Sequence, residues 1–107
     1  MSLYGYARPT TPFIDRLARD GVFFRHAYSA TAWTGSSHAS LFTGVYPPVH
    51  QMHHQEMKLA PGWPTLAGYL KSMGYSTHAI VSGPMVETRL GFGQGFDEFD
   101  ESTYKSK

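Results

Sequence analysis

Cysteine is absent from the 107 residues. That excludes disulfides, thiolate metal sites and a cysteine nucleophile, and leaves the redox compartment open. Neither sign of charge is in excess: nine Lys and Arg stand against eight Asp and Glu, a formal net charge of +1. No basic run stands out, so there is no electrostatic footprint for nucleic acid or an anionic membrane. No apolar run reaches the roughly 18 residues of a membrane-spanning helix, and no secretory leader is recognisable. Charged residues are scarce too, at 16%. Aromatic residues are plentiful: seven Tyr, seven Phe and two Trp make up 15% of the chain. A single domain of this length buries roughly 65% of the surface its unfolded chain exposes. Some of these rings therefore suit an interface, or a core larger than the chain can enclose.

Local signals predict a helix over residues 12–20. Thr11 suits the N-cap, Pro12 the first helical position and Asp15 the positive end of the dipole; Ile14, Leu17 and Ala18 form the apolar stripe and Gly21 the stop. Val, Phe and Tyr crowd residues 22–28, which reads as a strand. A small-residue loop, 29–37, leads to a short helix over about 37–42, closed by Thr43 and Gly44. Prolines 47, 48 and 61 punctuate an irregular segment, 45–62. Pro64 then opens a helix with Leu66, Leu70 and Met73 on one face and Gly74 as its end. Residues 75–81 form the second strand candidate, and the glycine-rich 82–100 reads as a long surface loop. Residues 105–107 read as a loose tail. The order is α/β in character, but a two-strand sheet is undersized. It calls for completion, either by another chain or by more of this one. The start, where Met1, Ser2 and Leu3 run straight into turn-like Tyr4, Gly5 and Tyr6, reads as lying inside a longer reading frame.

The segment TAWTGSSHASLFTG, residues 31–44, carries the chemistry. It sets Thr34, Ser36, Ser37 and His38 at the mouth of a helix, where free N–H groups and the dipole favour an anion such as phosphate or sulfate. A hydroxyl there can act as a nucleophile if its pKa is lowered, and His38 could hydrogen-bond the anion or the nucleophile. The alternative is plain: Ser and Thr at a helix start are ordinary caps.

Four blocks occur in order: TPFIDRLARDGVFFRHAYS, TAWTGSSHASLFTGVYP, PTLAGYLKSMGYSTHAIVSGP and GFGQGFDEFD. Together they resemble the N-terminal region of the sulfatase family, within the alkaline phosphatase superfamily. The resemblance implies a partial α/β/α sandwich lacking its first central strand, with residues 1–107 a single partial domain. It also implies ester cleavage at a divalent metal centre. Three departures shape the expectation. Where sulfatases carry Cys or Ser in C/S-x-P-x-R, the residue that becomes formylglycine, this chain has Thr34, with Ser36 for the Pro and His38 for the Arg. Arginine is a fixed fork for oxyanions whereas histidine titrates near neutrality, and unmodified Thr or Ser branches act on phosphate esters. Where many sulfatases have Gly-Lys-Trp-His, this chain has Ser82, Gly83, Pro84 and Met85. Finally, of the family's metal ligands only Thr34 has a counterpart here, and one hydroxyl does not hold a divalent cation.

The expectation is thus a fragment of a metal-dependent hydrolase of phosphate or sulfate esters. Thr34 and His38 are the catalytic candidates; Ser36, Ser37 and His50 are the candidates for binding a small-molecule ester. The divalent ion (Ca, Zn or Mn) belongs to the complete protein, and these residues alone are expected to be inactive. By composition His50, His53, His54 and Glu56 could bind zinc, though such histidines are more often surface or packing residues. His50, following a Tyr-Pro pair as in the family, is the best placed of them to line a substrate entrance. Asp97, Glu98, Asp100 and Glu101 resemble a metal nest, but fit a structural block of the family with a solvated acidic face. His26 and His78 read as packing residues, and Trp33 as a pocket wall or a core aromatic. A rival reading is a non-enzymatic anion-binding or assembly module, with exposed strand edges inviting a homo-oligomer. A true sulfatase is a third.

Overall fold

The computed structural model describes residues 1–54 and 57–105. Its sheet among the described residues is two short parallel strands, β1 (His78–Ile80) and β2 (Glu98–Asp100), in the register His78↔Glu98, Ala79↔Phe99, Ile80↔Asp100. Among the described residues the α-helices are α1 (Pro12–Asp20), α2 (Thr34–Thr43), α3 (Pro47–His50), α4 (Leu66–Ser72) and α5 (Ser102–Lys105). The order is α/β with a small parallel sheet, consistent with part of a larger layered fold.

The buried core is made by Ala39 of α2, Met52, Leu59, Val86, Leu90 and Phe92. Phe42 packs edge-on to Phe92 and Phe96 at 5.8 and 5.7 Å between ring centres, and Phe96 to Phe99 at 5.5 Å. Three of the core residues lie in 82–100, the segment that reads in sequence as a surface loop. That expectation is corrected: the segment holds a 3-10 turn, Thr88–Leu90, and the whole of β2. Its glycines permit close backbone contact rather than looseness. Gly91 has φ +89, and a Cβ there would lie 3.2 Å from the Leu59 carbonyl carbon. The Leu59 N–H in turn donates to the Leu90 carbonyl at 2.9 Å.

The helix over 12–20 forms as expected, but its stripe does not bury. Ile14 and Leu17 are exposed, and Ala18 is half-buried. The helix touches the chain chiefly through Asp15, which accepts from Ser2 and from Thr11 Oγ1. The expected strand at 22–28 is absent: the segment is irregular, and Val22, Phe24, His26 and Tyr28 are exposed. Strand propensity measures fit to a paired, half-buried surface, and no strand among the described residues pairs with this segment. In α4 the expected face buries only in part. Leu66 and Met73 are exposed and Leu70 is half-buried, while Ala67 is buried and Gly68 lies against the turn at Gly95. Thr65 caps this helix, accepting from Gly68 N–H at 3.0 Å. Bonds from Gly74 N–H to the Lys71 carbonyl and from Tyr75 N–H to the Leu70 carbonyl end it, at 2.9 and 3.2 Å.

The acidic residues near the C-terminal end close local structure. Asp100 accepts from Ser102 N–H at 2.8 Å and Glu101 from Thr88 Oγ1 at 3.1 Å. His78 is exposed rather than packed and sits 3.2 Å from Glu98. Buried Glu87 accepts from the Tyr104 hydroxyl at 3.1 Å, and its other oxygen meets Arg89 as an ion pair without hydrogen-bond geometry. Lys105 ends α5 and pairs with Glu101; the rest of the expected tail, residues 106–107, lies outside the described residues.

Asp97 is the clasp between the strands. It accepts from the Thr77 N–H at 2.9 Å and pairs with Lys71 at 2.6 Å. The Lys71 ammonium, then the Thr77 N–H and hydroxyl, hold its carboxyl down at about 2, from an ordinary 3.8. A depressed carboxyl stabilises the folded state above its unfolded-state value, and that contribution is lost as pH falls through the folded one. Asp97→Asn is therefore expected to lower stability at neutral pH and to flatten the acid limb between about pH 4 and 2. Urea midpoints measured across that range for both proteins check it. An unchanged profile would remove Asp97 from the account.

Candidate functional site

The site begins with the way α2 starts. Its N-cap is Trp33, whose side chain has no oxygen to offer, and no side chain caps the helix. The first closed turn is the bond from Ser37 N–H to the Trp33 carbonyl, at 2.8 Å. The N–H groups of Thr34, Gly35 and Ser36 are left without a partner among the described residues. The helix starts at Thr34, three residues earlier than the sequence suggests, because packing of Ala39 and Phe42 outweighs the poor helix propensity of Gly35 and the serines. The ordinary-cap alternative is thereby overturned: Thr34 is inside the helix. Ser37 is turned to another task, its Oγ lying 2.6 Å from Ser29 Oγ. Since Ser29 donates its own proton to the Thr31 carbonyl at 2.7 Å, Ser37 is the donor of that pair.

Thr34 is exposed and Ser36 is buried beneath it. His38, one turn on, has Nδ1 at 2.8 Å from the Thr34 carbonyl. A carbonyl only accepts, so Nδ1 carries the proton, and Nε2 of the neutral ring keeps its lone pair. The ring stands edge-on to Phe42 at 6.3 Å. Thr34 and His38 share one groove of about 650 Å³, walled by Phe42, Ile80, Val81 and Met85. On its other side Thr34 borders a recess of about 130 Å³, with Trp33, Gly35, Ser36, Met85 and His54 around it. Trp33, half exposed, is thus a wall of this recess and not a core aromatic.

The histidines sort differently from their sequence reading. His50, the expected entrance residue, is 2% exposed. Its Nδ1 accepts from Met52 N–H at 3.1 Å, and Nε2 lies 2.9 Å from Ser40 Oγ. Both ring nitrogens are therefore used internally, and burial pushes its pKa down. His54 instead reaches the recess beside Thr34. The sequence offers it only as a zinc candidate, because 20 positions, including α2 and α3, separate it from Thr34. His53 is exposed, and Glu56 lies outside the described residues. Among the described residues no three His, Asp or Glu side chains converge as a metal-holding group. Thr34 contributes one hydroxyl, so the residues here do not by themselves make up a divalent-metal site.

Comparison with known proteins gives one consistent answer. The family model for sulfatases matches residues 1–107. An N-acetylgalactosamine-6-O-sulfatase of Bacteroides thetaiotaomicron is 36% identical over 89 residues, covering 75% of this chain and 17% of its own. An ulvan-active sulfatase of Formosa agariphila is 32% identical over 72 residues, 67% of this chain and 14% of its own. A steryl-sulfatase of Mus musculus is 33% identical over 91 residues, 75% of this chain and 15% of its own. The chain thus spans well under a fifth of the length of these curated relatives. No solved structure matches it at a significant level.

Proposed function

The chain belongs to the sulfatase family, and from that premise we propose that it is the nucleophile-bearing part of an ester hydrolase whose substrate is a phosphate ester. The observation that carries the reading is the open start of α2. An exposed hydroxyl, Thr34, stands beside three N–H groups with no partner among the described residues, which is an anion site in waiting. Threonine in place of Cys or Ser, and His38 in place of the family's Arg, favour phosphate over sulfate.

In this reading Thr34 Oγ1 attacks phosphorus and the bond to the leaving alkoxide breaks. His38 Nε2, the free lone pair on that side of the helix, takes the threonine proton and returns it to the leaving oxygen. The N–H groups of Thr34, Gly35 and Ser36 meet the charge that grows on the phosphoryl oxygens. Water then cleaves the phosphothreonine. Ser36 and His54 line the pocket for the phosphate, Ser37 holds the 29–31 segment in place, and His50 stays in the interior. Enzymes of this family use a divalent metal. Since the residues here do not compose its site, no step is assigned to it, and its ligands belong to other parts of a complete catalytic domain. The exposed Phe13, Leu17, Tyr28 and Ile80 support the same view of residues 1–107 as a partial domain whose apolar surface is covered by more protein. Alone, the chain is expected to turn over no ester.

Titrating the chain with inorganic phosphate, followed by amide shifts, tests the anion site directly. Thr34, Gly35 and Ser36 are expected to move together and saturably. No response there would overturn the reading, and a response to sulfate alone would favour a true sulfatase.

A further inference from the structure

We infer that His50 is a positioning residue for the anion site: it fixes Met52 beneath Gly35 and grips Ser40 on the same helix, which sets the direction of the open N–H groups. The inference rests on the reading of the α2 start as a phosphate site. Its own support is geometric. The chain leaves α3 through Gln51, whose φ of 62 is the one left-handed non-glycine backbone among the described residues. The His50 ring bridges this turn, Nδ1 accepting from the Met52 N–H two residues on, at 3.1 Å. Met52 is 1% exposed, and its Cε is 3.4 Å from the point where a Cβ on Gly35 would sit. Gly35 supplies one of the three open donors. The opposite ring nitrogen, 2.9 Å from Ser40 Oγ, holds α2 further along its length. One imidazole therefore pins α2 twice, directly at Ser40 and through Met52 at Gly35.

The two bonds demand opposite roles of the ring, acceptor at Nδ1 and donor at Nε2, which the neutral Nε2–H tautomer alone fills. Burial, with His53 as the titratable neighbour, keeps the ring neutral. The bond to Met52 has the form of an Asx-turn, in which a side-chain acceptor takes the N–H two residues on. Asparagine can therefore replace half of what His50 does.

The test is phosphate binding by the 107-residue chain, read from the Thr34, Gly35 and Ser36 amides, with hydrogen exchange at the Met52 amide. His50→Asn is expected to keep Met52 protected and phosphate affinity within about threefold. His50→Gln, which reaches Ser40 but not the turn, and His50→Leu are expected to lose about tenfold, the worth of one lost hydrogen bond. If His50→Leu fails to fold, His50→Gln decides: phosphate binding weakened by about tenfold upholds the inference, and wild-type affinity overturns it. Wild-type protein that binds phosphate alongside unaffected variants sinks the positioning role alone. Wild-type protein whose 34–36 amides ignore phosphate sinks the anion-site reading and this inference with it.

Discussion

In a complete catalytic protein carrying this segment, Thr34→Ala is expected to abolish phosphate-ester turnover while leaving the fold unchanged. The two halves of that expectation have separate grounds. Thr34 is exposed at the first position of α2, and its hydroxyl makes no hydrogen bond among the described residues. Removing it empties no cavity and orphans no buried partner, so the stability change should stay within about 0.5 kcal/mol. Catalysis has no such tolerance. If Thr34 forms the covalent intermediate, its loss removes the bond-making atom, and turnover should fall by at least roughly 10³-fold. What remains would come from the N–H groups and whatever holds the substrate. Thr34→Ser keeps the hydroxyl and is expected to recover most of the rate. The measurement is the rate of release of an aryl alcohol from its phosphate ester, paired with the urea midpoint of each variant. Full activity in the alanine protein would end the case for a threonine nucleophile. Lost activity with a collapsed midpoint would end the claim that the residue is structurally idle.

What could be read from the sequence followed from how local the cause was. The helix over 12–20 and the end of α4 at Gly74 depend on caps, a proline and a glycine within a few residues of one another, and both are where those residues put them. The candidate strand at 22–28 has the composition of a strand but no partner to pair with, and composition does not supply one. The segment 82–100 misled in the other direction: its glycines read as flexibility, yet Gly91 and Gly95 let two backbones touch, a non-local fact. The site divides the same way. Thr34 and His38 could be named from the block 31–44, because the family's motif and the helix mouth both fall within those few residues. That the helix lacks a cap could not be seen, because it turns on where α2 begins. The exchange of roles between His50 and His54 was equally hidden: it depends on the left-handed turn at Gln51, and glutamine gives no sign of one.

Gly95→Ala is expected to be among the most destabilising single substitutions in the chain, and it tests the contact that joins α4 to the strands. Gly95 has φ +88, where an L side chain pays about 1–2 kcal/mol. It also has no room: a Cβ would stand 2.6 Å from Thr65 Oγ1 and 2.8 Å from Gly68 Cα, and closer still to the Gly68 nitrogen. Neither neighbour can swing aside. Thr65 Oγ1 is committed to the cap of α4 and donates to the Gln94 carbonyl at 3.1 Å, and Gly68 is helix backbone. Overpacking of this kind adds about 1–3 kcal/mol, for a total of roughly 2–5 kcal/mol. That is a large share of the roughly 5–15 kcal/mol that holds a small domain folded. Gly62 supplies the control, since it has φ +86 but nothing within 4 Å of an added Cβ. Gly62→Ala should show the backbone strain without the clash, so the gap between the two variants isolates the contact. Urea or thermal midpoints of both proteins give that gap. If Gly95→Ala is no worse than Gly62→Ala, α4 does not lie against this turn, and the contact that joins it to the strands falls with it.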